Sequence, residues 1–130
     1  MKKFQCKLIK ADKPLKFGKT VSLKALQDAA REANLVQWTQ YADDEHFKGK
    51  FIVEKCYVED EYLTASGLID EHLIEGKKNV YLSPKCEMRF SKAKGLKRCE
   101  SVRWLKIVKF NLQTENNTGY EEPIRIIGDE

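Results

Sequence analysis

Two histidines and one serine are the residues of this chain whose types and spacing could carry covalent chemistry. His46 closes the acidic run Asp43-Asp44-Glu45, and His72 follows Glu71. An imidazole titrates near neutrality and can take a proton from a hydroxyl. To do so it needs a nucleophile within hydrogen-bond reach and a third group that orients the ring. Ser83 is the nucleophile to consider, beside Pro84 on the polar side of an alternating stretch. Alone, Ser83 reads as a solvent-facing strand serine and the histidines as loop residues without a role. A functional reading needs one of the histidines brought within reach of that serine. The chain has no glycine-rich phosphate loop, no His-Glu-x-x-His sequence and no paired-carboxylate signature, which sets aside kinases, nucleotide hydrolases and zinc peptidases.

The elements that must position these residues follow from hydrophobic period. Residues 4–9 alternate, with Phe4, Cys6 and Leu8 on one side, and predict a strand ended by Asp12-Lys13-Pro14. Gly18 marks a turn. Ser22 can cap a helix whose Leu23, Leu26, Ala30 and Ala33 form one narrow apolar stripe, with Asn34 as a left-handed stop. Residues 35–41 are ambiguous, since Trp38 and Tyr41 sit three apart and could continue a short helix. Residues 50–58 and 62–69 predict a hairpin turning at Glu59-Asp60-Glu61. Residues 70–76 read as a loop or one helical turn closed by Gly76. In 80–90, Val80, Leu82, Pro84, Cys86, Met88 and Phe90 alternate with Tyr81, Ser83, Lys85, Glu87 and Arg89. Pro84 removes a ladder donor and predicts an edge or a bulge there. Residues 102–112 carry apolar side chains on both faces, so both faces are expected to be partly covered. Residues 124–127 end the series with a short strand. The pattern predicts an α+β fold: a mainly antiparallel, barrel-like sheet of about five or six strands with one amphipathic N-terminal helix.

Composition bounds the class. The chain has 130 residues, 42% hydrophobic and 34% charged, which suits one globular domain over 1–130 that needs neither disulfide nor cofactor. The acidic stretch 114–130 reads as a flexible tail. No run approaches the roughly 18 apolar residues of a membrane span. The start, MKKFQCKLIK, has no apolar core of a signal peptide, so a cytoplasmic protein is expected. Cys6, Cys56, Cys86 and Cys99 match no zinc spacing and read as small buried hydrophobes. The net charge of +4 is mild, but Lys92, Lys94, Lys97, Arg98 and Arg103 cluster.

The order of these pieces resembles the bacteriophage prohead (capsid maturation) proteases, relatives of the herpesvirus assemblins. The resemblance rests on the helix ALQDAAREAN, on Glu45-His46 and Gly49, on the hairpin VEDEYLTASGLI and on Tyr81-Leu82-Ser83-Pro84. It implies Ser83 as nucleophile and His46 as general base. The third member would be Asp12 in the acid version of the triad or His72 in the histidine version, with Asp12 preferred. Arg89 and Arg103 would serve as oxyanion donors. The resemblance also implies a capsid or scaffold partner, and a place in the host-cell cytoplasm or the virion. The chain departs from the pattern in a short gap from His46 to Gly49, in only 37 residues from His46 to Ser83, and in lacking a long scaffold-like tail. Those departures fit a shortened or inactive relative acting in head assembly.

Two other readings need no catalysis. The basic stretch 92–103, with Trp104 and the aromatics Phe47, Tyr57, Tyr62 and Tyr81, could bind single-stranded nucleic acid on a sheet face. Alternatively, the chain docks on a host or assembly protein, or on a second copy of itself, through one charged patch.

Overall fold

The structure, a computed structural model, describes residues 1–16, 18–36, 38–43, 45–91, 100–116 and 118–130. In chain order its strands are β1 (Lys2–Lys10), β2 (Lys19–Val21), β3 (Trp38–Asp43), β4 (Lys48–Glu59), β5 (Tyr62–Ile69), β6 (Tyr81–Ser91), β7 (Glu100–Gln113) and β8 (Arg125–Asp129). One helix, α1 (Leu23–Ala33), follows β2, and a single 3-10 turn, Glu71–Leu73, follows β5. The strands pair in two sheets: β3-β4-β5-β1-β8, and β2-β7-β6. All pairings are antiparallel except the short parallel one between β2 and β7. The α+β, mainly antiparallel expectation therefore holds. The described residues carry eight strands rather than five or six, and pair as two sheets.

α1 forms as its sequence dictates. The Ser22 hydroxyl accepts from the Ala25 N–H at 3.1 Å, and Ala25, Leu26, Ala29, Ala30 and Ala33 are buried. The alanines let the helix lie close against β7 and β4. Asn34 is a correction: its φ of −71° is right-handed, not left-handed. Its side-chain amide instead clasps β4, donating to the Cys56 carbonyl and accepting from the Cys56 N–H, both at 2.7 Å. β3 pairs with β4 only as far as Val53, so Asn34 supplies the hydrogen bonds that β3 no longer can.

Residues 38–43 are a strand, not a continuation of the helix. Trp38, Gln40 and Ala42 are half-buried in alternation. The Trp38 ring meets Phe110 edge-on at 5.6 Å, and its Nε1–H donates to the Ala33 carbonyl at 3.0 Å, closing the end of α1. The three-residue spacing of Trp38 and Tyr41 was misleading, because Tyr41 faces solvent.

Bulges explain the remaining surprises. Opposite β6, two β7 residues have no cross-strand partner, Arg103 and Val108. Each extra residue flips the inward parity of β7. Val102, then Leu105 and Ile107, then Phe110 and Leu112 therefore all face one core. Only one face of β7 is covered, against the expectation of two. Leu8 in β1 and Glu54 in β4 are unpartnered in the same way. At the Glu54 bulge the β4 backbone presses on Gly67, where an added Cβ would lie 1.8 Å from the Ile52 carbonyl oxygen.

Pro84 sits as expected, on an edge strand and beside the Val108 bulge. The stretch read as a flexible tail is tied down. Thr118 Oγ1 donates to the Leu8 carbonyl at 3.2 Å, the Glu122 N–H to Lys7 at 3.0 Å and the Ile124 N–H to Val80 at 2.7 Å. β8 then pairs with β1, where Asp129 and Lys2 form an ion pair that lowers the carboxyl pKa and raises that of the amine. Among the described residues no helix is long and apolar enough to cross a membrane.

Candidate nucleic-acid interface

β6 and β7 form a long ribbon whose inner face is the core and whose outer face is charged. The antiparallel register sets Lys85 directly opposite Lys109, Glu87 opposite Lys106 and Arg89 opposite Trp104. Lys85, Glu87, Arg89, Lys106 and Lys109 are all exposed, as is Arg103 at its bulge. The Arg89 guanidinium lies over the Trp104 ring at 4.7 Å. Over residues 81–113 the sequence places nine basic and two acidic side chains, while the rest of the chain carries a small acidic excess.

Ion pairing sharpens the contrast. Three of the four β1 lysines are met by carboxylates: Lys2 by Asp129, Lys7 by Glu122 at 3.7 Å, Lys10 by Glu61 at 3.8 Å. On the ribbon, Lys106 approaches Glu32 of α1 at 3.9 Å. Lys85, Lys109 and Arg103 make no ion pair among the described residues. Like charges directly across a strand pair repel. A bound anion between Lys85 and Lys109 would turn that repulsion into attraction.

The residues singled out for catalysis lie outside this stripe, and His46 and Ser83 line different cavities. His46 is exposed and lines a groove of about 550 Å³ with Tyr41, Asp43, Phe47 and the end of β7. Ser83 is not solvent-facing: it is 8% exposed and lines a cavity of about 230 Å³ with Ile9, Leu15, Pro84, Cys86 and Met88. Neither cavity is shared by the two. Asp12 is exposed in the turn after β1, with φ of 57° and its N–H bonded to the Val21 carbonyl at 2.8 Å. His72 lies on the 3-10 turn over Gly49, its Nε2 2.6 Å from the Lys48 carbonyl oxygen, which ties the turn to β4. Arg89 is engaged with Trp104.

Cys6 and Cys56 are buried, as read, and Cys86 is half-buried. Burial pushes the Cys56 and Cys86 thiols up to about 12 and raises Cys6 as well, so these thiols are not poised as nucleophiles. Among the described residues no group of three or more His, Cys, Asp or Glu side chains is placed to hold a metal ion. Lys92, Lys94, Lys97, Arg98 and Cys99 lie outside the described residues.

In the sequence the basic run 92–98 was singled out, whereas Lys85, Lys106 and Lys109 were not. Lys85 and Arg89 were visible as alternate polar positions of one strand. Lys106 and Lys109 were hidden, because the Val108 bulge breaks the alternation that would have aligned them. Comparison of the chain with protein-family models, with curated proteins and with solved structures gives no match.

Proposed function

We propose that this chain is a nucleic-acid-binding module that uses the outer face of the β6–β7 ribbon. The observation that carries the reading is the Lys85–Lys109 pair, directly opposed and without a carboxylate partner among the described residues, within residues 81–113, whose excess of positive charge exceeds that of the whole chain. Lysines and arginines spaced along two strands suit a phosphate backbone, where each contact releases a counterion and carries no sequence information. The half-buried Trp104, roofed by Arg89, offers a base a stacked cation and ring at the end of the stripe. Bulges bend and twist a strand, and a bent sheet face suits such binding.

The acyl-transfer reading of Ser83, His46 and Asp12 asks for one shared cavity, and His46 and Ser83 line different ones. We therefore give it second place, as the reading that loss of activity in Ser83→Ala would restore.

The test is fluorescence anisotropy with labelled oligonucleotides across a salt series. The native chain should show binding that falls steeply with salt. The Lys85→Glu/Lys109→Glu pair should flatten the slope of log K against log salt by about two and weaken binding at least about tenfold. Binding unchanged in that variant would defeat the proposal. Ser83→Ala and His46→Ala should bind as the native chain does.

A further inference from the structure

The groove beside His46 lies where two sheet edges face each other. β3 is the outermost strand of the five-stranded sheet, and β7 loses its β2 neighbour after Val102. The two strands come within 8 Å of one another, Cα to Cα. At that approach the Phe110 N–H donates to Gln40 Oε1 at 3.3 Å, a side-chain amide standing in for the carbonyl of an absent strand. Beyond it the walls separate into the groove, between Tyr41–Asp43 and residues 110–115.

Both walls turn backbone groups into this space. Lys50 donates its N–H to Asp70 Oδ2 at 2.9 Å, and its carbonyl accepts from the Asp70 N–H at 3.1 Å. Its peptide groups thus point away from β3. Its cross-strand partner Tyr41 therefore belongs to a non-hydrogen-bonded pair, with N–H and C=O directed outward, and Asp43 repeats the pattern two residues on. On the facing wall Phe110 points its N–H toward β3, and Leu112 shares that direction. The floor is aromatic: Phe47, Phe51 and Phe110 are each at most 2% exposed. Asp43 and Glu115 stand on the rim, and among the described residues no lysine or arginine lines the groove. The nearby Lys77 ammonium sits over the Phe47 ring at 5.1 Å, outside that lining.

We infer that this groove docks an extended segment of a partner protein, which enters as an added strand between β3 and β7. Alternate apolar side chains of the segment rest on the phenylalanine floor. The lysines or arginines between them face Asp43 and Glu115. Main-chain bonds to Tyr41 and Leu112 give affinity, and the carboxylates give the choice of charge. The whole chain is positively charged, so attraction of a basic segment must arise locally at this rim.

The probes are two fluorescein-labelled hexapeptides, Lys-Val-Lys-Val-Lys-Val and Glu-Val-Glu-Val-Glu-Val, titrated with the full chain. The basic peptide should bind at least about tenfold more tightly than the acidic one. Tyr41→Pro removes the outward N–H and leaves the bonds between β3 and β4 in place, so it should weaken binding about tenfold with little change in thermal midpoint. Asp43→Lys should abolish the preference for the basic peptide, and it remains decisive should the proline variant fail to fold. Equal binding of the two peptides, binding of neither, or native affinity in both variants would overturn the inference. So would a concentration-dependent dimer in sedimentation that Tyr41→Pro removes, which would assign the groove to a second copy of this chain.

Discussion

Gly67 shows how much a single hydrogen can decide. The Glu54 bulge drives the β4 backbone onto β5, and an alanine methyl at position 67 would collide with the Ile52 carbonyl and lie 3.1 Å from the Glu54 nitrogen. Both obstacles are backbone and neither can rotate away. Gly67→Ala should cost at least about 3 kcal/mol, read as a lowered urea midpoint. The opposite change is available at the neighbouring turn. Asp60 and Glu61 both have positive φ, 51° and 65°, as a two-residue hairpin turn requires. A glutamate pays for that region in Cβ contacts that glycine lacks. Glu61→Gly should raise the thermal midpoint through a gain of up to about 1 kcal/mol, reduced by the loss of the exposed contact with Lys10.

At the scale of the element, legibility tracked regularity. The β4–β5 hairpin, α1 with its Ser22 cap and the edge position of Pro84 were all visible, because each is a local rule obeyed. β2 was not, since three residues hold no period and their partner, Glu100–Val102, lies some eighty positions away. β3 was hidden by an aromatic spacing that imitates a helix. β7 was misread because Arg103 and Val108 each shift the alternation by one, so an inner face looked like two. The candidate site suffered from the same cause. Ser83 and His46 were chosen from chain order, which says nothing about whether two side chains share a cavity, whereas the opposed lysines depend on register. Register gives its own prediction. Lys109→Glu replaces a like-charge pair with an attractive one opposite Lys85, so it should stabilise the fold by about 0.5 kcal/mol while weakening nucleic-acid binding. Urea melts and anisotropy on the same preparation would check that the two effects carry opposite signs.

Across the whole molecule, the buried thiols set an alkaline boundary. Cys56 ionises in the unfolded chain near its ordinary 9.0 but in the fold only near about 12, because burial disfavours the thiolate. Its folded pKa is raised, so the stabilisation is fully present below pH 9 and is lost as pH climbs toward 12. Cys86 behaves alike, and Cys6 shifts in the same direction. Urea unfolding should show stability falling through that window by up to about 1.4 kcal/mol per pH unit for each thiol, with a shallower fall in Cys56→Ala. The aromatic and aliphatic core that shelters these thiols draws on every strand of the larger sheet except β8.

β1 occupies an inner place in that sheet, between β5 and β8. Its two neighbours lie about sixty and about one hundred and twenty residues further along the chain. The strand emerging early from a ribosome therefore waits for β5 before one flank is satisfied, and for β8 before the other is. Closing loops of that length is entropically slow, so folding in milliseconds to seconds, rather than microseconds, is expected of this topology. Until β8 arrives, one side of β1 exposes an unpaired ladder on a nascent chain. The Lys2, Lys3, Lys7 and Lys10 ammonium groups along it are well suited to keep two such chains from pairing with each other.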